Sequence, residues 1–183
     1  MTAIARCAPP LSGSAHRIRP FLASDVPAYA ALIAGLSPAD RRLRFHSAAA
    51  PSAPEQLRAM TLGPHAAAAV LVEADGGEVR GVAHAAFGDP PSCAEFGVVV
   101  GAPFRRRGFG GAMTDALLRI LAVRGVSRVE AYTLWENAAA AALLRSRGFS
   151  GGHQGGGTVR WVLALQAASV ITVPPPAVRC VRA

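Results

Sequence analysis

The stretch that decides the fold is AEFGVVVGAPFRRRGFGGA, residues 94–112. Its first seven residues are rich in valine and phenylalanine, which predicts a buried β-strand. Three arginines and three glycines follow at 105–111. From Gly108 to Arg124 the apolar residues recur at helical spacing, and Gly125 ends the pattern. A strand, a basic glycine-rich turn and an amphipathic helix therefore follow one another directly.

This turn has the chemistry of an anion site. Glycines let a backbone approach a ligand closely, and the first amides of a helix have no partner within the helix. The helix dipole favours negative charge there, and the arginines add charge with forked geometry. The physical expectation is a cradle for a pyrophosphate group.

Two other interpretations of the turn remain open at this point. Gly108 and Gly110 begin a dinucleotide-binding GxGxxG pattern, and Glu130 lies about 20 residues on, where that pattern places a ribose-binding acid. Met113 stands at its third position, however, where close helix–strand packing requires glycine or alanine. The second interpretation is that the turn is an ordinary solvated loop that binds no ligand.

Around this segment the hydrophobic pattern predicts one domain of α/β (α+β) class over residues 16–166. A flexible leader occupies 1–15 and a tail 167–183. The expected sheet is mixed and mostly antiparallel, flanked by helices, with one parallel crossover. Predicted strands cover 16–20, 67–73, 79–87, 94–100, 129–134 and 158–165; predicted helices begin at Ser24 or Asp25 and at Ser37, and cover 55–62, 108–124 and 137–147.

Composition excludes several function classes. All 19 basic residues other than histidine are arginine, so a P-loop and a pyridoxal Schiff base, which both need lysine, are excluded. The net charge of +8 indicates an anionic partner without naming it. Three cysteines without CxxC spacing are typical of a reducing cytoplasm, and the isolated histidines predict no metal site.

We expect no membrane segment. Pro9 and Pro10 follow Arg6 where a signal peptide would have an apolar core. Residues 161–178 carry no charge, but prolines at 174–176 leave 13 usable residues. As a helix these would reach only ~20 Å, against a hydrocarbon core of ~30 Å.

Three motifs together resemble one family. Arg105-x-x-Gly108-x-Gly110 is similar to the acetyl-CoA motif of the GNAT superfamily of N-acetyltransferases. The preceding strand, and Leu36-Ser37-Pro38 with Leu43-Arg44-Phe45, resemble the GNAT domains of bacterial protein lysine acetyltransferases. Glu136-Asn137 followed by Leu143 and Gly148-Phe149 is similar to a late helix of the family. The likeness covers about residues 17–165.

The resemblance implies a set of binding roles, with acetyl-CoA as co-substrate and no metal. The backbone of Val98 and Val100 would hold the pantetheine arm. Asn137 would hydrogen-bond that arm, although a plain helix N-cap is the alternative and one side chain does not easily do both. The pyrophosphate would be bound by Arg105, Arg106, Arg107, Gly108, Gly110 and Gly111.

Glu95 is the candidate general base, because a protonated amine cannot attack a thioester until a carboxylate removes its proton. We expect Glu95 to be buried beside Phe96. The alternative is a structural ion pair with the arginines at 105–107. The general acid is unassigned, since Leu144 stands where the superfamily often has tyrosine, and nothing matches nearby Tyr132 to that role.

The resulting prediction is a cytoplasmic enzyme, monomeric or homodimeric, that acetylates a protein lysine or a small amine. A non-catalytic acyl-CoA sensor and a nucleic-acid module are the alternatives; the sequence offers few aromatic residues for the latter. Gly148-Phe149-Ser150-Gly151-Gly152 spells the GxSxG of a hydrolase, but it follows a helix where that motif must follow a strand. We expect a mobile loop at 150–157, beside the acceptor groove.

Overall fold

The computed structural model describes residues 16–47, 51, 53–74 and 77–166. The predicted leader at 1–15 and tail at 167–183 lie outside the described residues. The elements are β1 His16–Pro20, α1 Val26–Ala34, α2 Pro38–Phe45, α3 Pro54–Leu62, β2 Ala66–Ala74, β3 Val79–Phe87, β4 Cys93–Val100, α4 Phe109–Val123, β5 Arg128–Leu134, α5 Ala138–Ser146, β6 Ser150–Gly155 and β7 Thr158–Ala164.

One seven-stranded sheet organises the described residues, with strand order β1-β2-β3-β4-β5-β7-β6. Every neighbouring pair is antiparallel except β4 and β5, which are parallel and joined by α4. A parallel pair needs such a crossover because the chain must return to the end at which it began. The predicted fold class, with its single parallel crossover, is confirmed.

Two hydrophobic clusters hold the helices on opposite faces of the sheet. On one face, α4 buries Met113, Leu117 and Leu121 against the sheet, with Phe96 in the same cluster. On the other, Tyr29, Ile33 and Leu57 of α1 and α3 pack with Val82 and Val99. Because side chains alternate along a strand, Glu95 and Gly97 share the face of Val99. β4 thus contributes Phe96 to one cluster and Val99 to the other, and Glu95 shares the face of Val99.

Residues 150–155 form the edge strand β6, so the prediction of a mobile loop there is wrong. The strand pairs antiparallel with β7, from Ser150 opposite Val162 to Gly155 opposite Thr158, with one register shift between His153 and Gly155. Its ladder uses backbone groups alone, which a glycine-rich segment supplies without any alternating side-chain pattern. Gly148 ends α5 with a φ of +82°. The GxSxG sequence therefore lies between a helix and a strand, in the reverse of the order that a nucleophile elbow requires.

No helix in the described part of the chain has both the length and the apolar character needed to span a bilayer. The uncharged segment at 161–178 begins in β7 and runs on into residues that the structure does not describe.

Candidate active site

The site begins where β4 and β5 separate. β4 pairs with β3 along its length, from Ala94 opposite Phe87 to Val100 opposite Gly81. Its pairing with β5 stops at Glu95, opposite Glu130. Beyond that point the two strands have no ladder between them, so the β4 edge from Phe96 onward opens into a wedge. A ligand entering the wedge finds the backbone groups that a neighbouring strand would otherwise bind.

A cavity of about 680 Å³ occupies this wedge. Its walls come from β4, β5, α2, α5 and the basic turn that opens α4. Arg107 is exposed and does not line the cavity. The sequence-predicted residues that do line it are Glu95, Val98, Val100, Arg105, Arg106, Gly108, Gly110, Gly111 and Asn137. The structure thus brings nine of the ten predicted residues to one place.

The basic turn places the start of α4 at the cavity. Gly108 is the N-cap residue of α4 and has a φ of +83°, in the left-handed region that favours glycine. Its cap has no side-chain hydrogen bond, and Gly110 and Gly111 of the first turn face the cavity. The first amides of a helix have no intrahelical acceptor, so this end of α4 offers donors to an anion.

Arg105 is held by the protein itself. Its Nη1 donates to Asp40 Oδ1 at 2.8 Å and its Nε donates to the Val100 carbonyl at 3.1 Å. The hydrogen bond from Arg105 is the largest cause that lowers the pKa of Asp40. The turn is therefore tied to α2, which carries Asp40.

Helix α2 is also tied to the opposite wall of the cavity. Arg42 forms an ion pair with Glu136, and Asn137 Nδ2 donates to the Leu43 carbonyl at 3.4 Å. With the Arg105 contact at its other end, α2 spans the mouth of the wedge from the basic turn to the start of α5.

Asn137 is the N-cap of α5, as the structural alternative predicted. Its Oδ1 accepts a hydrogen bond from the Ala140 amide at 3.1 Å. The side-chain oxygen is thereby used and Nδ2 already donates to Leu43, so only the second Nδ2 hydrogen remains for a ligand. A contact of Asn137 with pantetheine stays a prediction.

Glu95 lines the cavity but is exposed, so the prediction that it is buried beside Phe96 is wrong. The two side chains lie on opposite faces of β4, and only Phe96 belongs to the core. On the face of Glu95, the hydrophobic cluster reaches β4 at Val99 instead. The described residues contain no ion pair between Glu95 and the arginines at 105–107, so the structural alternative for Glu95 has no support.

Tyr132 lines the cavity on the other side of the wedge. Its hydroxyl donates to Glu130 Oε2 at 2.9 Å, and burial together with this carboxylate raises its pKa. Glu130 is also held by Arg160 and Arg128, at 2.9 and 3.1 Å. The hydrogen bond from Arg160 is the main cause that lowers the pKa of Glu130. Glu130 thus belongs to an ion-pair network rather than serving as the ribose acid of a dinucleotide fold.

Arg44 is a cavity residue to which the sequence analysis gave no role. Its guanidinium is buried, which lowers its pKa, and Nη2 lies 2.7 Å from His84 Nε2. Its Nε has no hydrogen-bond partner within the described residues. Burial and the neighbouring Arg44 charge lower the pKa of His84 to about 3, so His84 is a neutral acceptor at physiological pH. The sequence signal for this contact is Gly97, because a glycine inside a strand often marks a place where another group approaches the backbone closely.

The guanidinium of Arg44 occupies the space above Gly97. A Cβ atom at Gly97 would lie 2.4 Å from Arg44 Nη2.

Leu144, at the position where the superfamily often has tyrosine, is 2% exposed and lies in the core. Arg147 is a second cavity residue that sequence reasoning missed. In the described part of the chain, no group of three or more His, Cys, Asp or Glu side chains could hold a metal ion.

Comparison with protein families gives one match. The model of the acetyltransferase (GNAT) family matches residues 38–149, from the start of α2 to the residue before β6. No curated protein sequence matches the chain significantly.

Solved structures share the fold at low sequence identity. The GNAT domain of S. lividans PAT is 18% identical with a TM-score of 0.74, covering 82% of this chain and 90% of its own. The ribosomal-protein-S18-alanine N-acetyltransferase of Escherichia coli is 20% identical with a TM-score of 0.65, covering 85% and 97%. YncA of Salmonella typhimurium, solved with its cofactor acetyl-CoA, is 20% identical with a TM-score of 0.63, covering 84% and 96%. These likenesses concern the fold.

Proposed function

The chain belongs to the acetyltransferase (GNAT) family, and on that premise we propose that it transfers the acetyl group of acetyl-CoA directly to an amine, with Glu95 as general base. Acetyl-CoA-dependent N-acetylation is the general reaction of the family. One observation carries the proposal for this chain. The wedge between β4 and β5 opens onto the uncapped first turn of α4, and Glu95 lies where the two strands separate.

The wedge suits the two ends of the donor. The β4 edge at Val98 and Val100 offers backbone groups to the amides of a pantetheine arm, with the Val100 carbonyl already accepting from Arg105 Nε. The first turn of α4 offers amide donors and a positive helix end to a pyrophosphate. Together they would hold the thioester in the wedge near Glu95.

Transfer then needs two protons removed from the acceptor nitrogen and one bond exchanged. An acceptor amine is protonated at neutral pH and has no free electron pair, so a Glu95 oxygen takes its proton, directly or through a water. The amine nitrogen attacks the acetyl carbonyl carbon, the new C–N bond forms and the C–S bond breaks. The sulfur leaves with the electron pair of that bond as a thiolate. The nitrogen, positively charged after the attack, loses its second proton, and the thiolate takes up a proton directly or through water.

For the acceptor we propose a protein lysine. Its support is the similarity of the segments at 36–38 and 43–45 to the lysine-acetylating GNAT domains, together with the exposure of Glu95. An exposed base can be reached by a side chain that projects from a large partner. The chain itself contains no lysine, so the ε-amine would come from another molecule. A small-molecule amine is the alternative acceptor.

For the location of the enzyme we propose the cytoplasm, because three cysteines without CxxC spacing are typical of a reducing compartment.

The test is Glu95→Gln, which keeps the shape of the side chain and removes its basicity. We expect turnover to fall by at least ~100-fold, the usual range for a lost general base, with acetyl-CoA affinity unchanged by calorimetry. Glu55→Gln, an exposed carboxylate in the first turn of α3, is the matched control and should keep full activity. Unchanged turnover in Glu95→Gln would refute the base assignment. An assay of lysine peptides against small amines, detecting free CoA, separates the two acceptor classes.

A second candidate is a non-catalytic acyl-CoA sensor, favoured by the buried apolar Leu144 where many relatives of the superfamily have a proton-donating tyrosine. The sensor would bind acetyl-CoA and release no CoA with any amine. Release of CoA that depends on an added amine rules it out.

A further inference from the structure

Arg147 lies directly against the first turn of α4. It follows α5 and is not part of the basic turn, yet its side chain lines the same cavity. A Cβ atom at Gly111 would lie 2.0 Å from Arg147 Nη2 and 2.6 Å from Cζ. The guanidinium therefore occupies the space that any other residue at position 111 would fill with its side chain.

The contacts of Arg147 orient its guanidinium, but they do not include a short ion pair with a carboxylate. Its Nε lies 3.2 Å from Asp115 Oδ1 and its Nη2 lies 3.4 Å from Oδ2. These are long contacts for a charge-assisted pair, and Asp115 is 38% exposed. Nη1 donates to Ser146 Oγ at 2.8 Å. Asp115 is four residues after Gly111 on α4, so it holds the guanidinium beside the start of that helix.

The arginines near the start of α4 differ in their contacts and in whether they line the cavity. Arg105 is engaged by Asp40 and a backbone carbonyl, Arg106 lines the cavity from the basic turn, and Arg107 does not line it. Arg147 adds its charge where the amides of Gly110 and Gly111 begin the helix. A forked cation beside free amide donors is the arrangement that binds a phosphate oxygen pair.

We propose that Arg147 binds a phosphate group of CoA and that Gly111 provides the space for its guanidinium. This inference rests on the proposed function, because it takes acetyl-CoA to be the ligand of the cavity. CoA carries two sources of this chemistry, the pyrophosphate and the 3′-phosphate of its ribose. The two are distinguished by dephospho-CoA, which lacks only the 3′-phosphate.

The test is calorimetry of CoA and dephospho-CoA binding to the wild type, Arg147→Gln and Arg145→Gln. Arg145 is the matched control, since it lies two residues earlier in the last turn of α5 but stacks on the Trp161 ring at 5.1 Å, outside this cavity. We expect Arg147→Gln to weaken CoA binding about tenfold, the scale of one charge-assisted contact, and Arg145→Gln to leave it unchanged. Weakening of CoA alone assigns the 3′-phosphate, and equal weakening of both ligands assigns the pyrophosphate.

Gly111→Ala provides a second variant that keeps the charge and displaces it. It should weaken CoA binding in the wild type and add little in the Arg147→Gln background. If Arg147→Gln binds CoA within twofold of the wild type, the inference is wrong even though the proposed function stands. If the wild type itself fails to bind CoA, the proposed function fails first.

Discussion

The guanidinium of Arg105 and the carboxylate of Asp40, 65 residues apart in sequence, are joined at 2.8 Å across the mouth of the cavity. Asp40 is held ionised by this contact, since the Arg105 hydrogen bond is the main cause that lowers its pKa. Asp40 thus holds the arginine that the acetyl-CoA motif assigns to the pyrophosphate. Helix α2 and the basic turn are therefore coupled before any ligand enters.

We predict that Asp40→Asn tightens acetyl-CoA binding by up to about fivefold, because an exposed ion pair that competes for Arg105 is worth roughly 0.2–1 kcal/mol. Asparagine keeps an oxygen for the contact with Ser37 in the first turn of α2. The measurement is calorimetry at fixed ionic strength. Glu136→Gln, which breaks the ion pair between α2 and the other wall, is the control and should change the affinity less. Weaker binding by Asp40→Asn would show that Asp40 supports the site.

A second prediction concerns the left-handed glycines at the two ends of α4. Gly108 has a φ of +83° and Gly125 a φ of +80°. Alanine at either position should lower the free energy of unfolding by about 1–2 kcal/mol, because a Cβ disfavours this backbone region. Only Gly108→Ala should also weaken acetyl-CoA binding, since Gly108 lines the cavity and Gly125 does not. Urea unfolding and calorimetry on both variants check this; equal affinities would remove Gly108 from the binding site.

The fold was predictable because its signals are local. Apolar spacing over 109–123 and the cap at Ser37 place helices where the structure has them, and the strand–turn–helix sequence at 94–112 positions the cavity. Strand β6 was not predictable, because its glycines carry no alternating pattern and its ladder depends on β7, which comes later in the chain.

The side-chain environment of the site depends on tertiary contacts that spacing does not reveal. The exposure of Glu95 follows from where the helices of its face pack, which is near Val99. Arg44 reaches Gly97, and Arg147 reaches Gly111, from elements distant in sequence. In both pairs the glycine is visible in the sequence, but the arginine that needs its space is not.

A third prediction follows from the contact between Arg44 and Gly97. The Cβ added by Gly97→Ala would lie only 2.4 Å from Arg44 Nη2. This is too close for two non-bonded atoms, so the guanidinium must move. We expect a loss of about 1–3 kcal/mol in the free energy of unfolding, the usual cost of overpacking a filled interior. In the Arg44→Ala background the same substitution should cost little, and a double-mutant cycle from urea unfolding measures the difference.

Gly88→Ala is the matched control for this cycle, because its Cβ would meet only ordinary contacts, at 3.7 Å from Cys93. It should cost little in either background. An undiminished cost of Gly97→Ala without Arg44 would attribute the strain to the strand itself.

The last prediction concerns acid stability and His84. Its pKa is about 3 in the folded protein against 6.5 as the ordinary value, so between these pH values the unfolded chain binds a proton that the native protein does not. Stability is therefore unaffected above pH 6.5 and falls as the pH drops below it. Between pH 7.5 and 5.5 we expect the free energy of unfolding to fall by about 1.4 kcal/mol from this group.

Urea unfolding at the two pH values should show that loss in the wild type and a loss smaller by this amount in His84→Gln, whose amide oxygen still accepts from Arg44. The interval lies above the range in which Asp40 and Glu130, with lowered pKa values, take up protons. The same pH dependence in both proteins would mean that the buried imidazole accepts a proton in the folded state despite the neighbouring guanidinium.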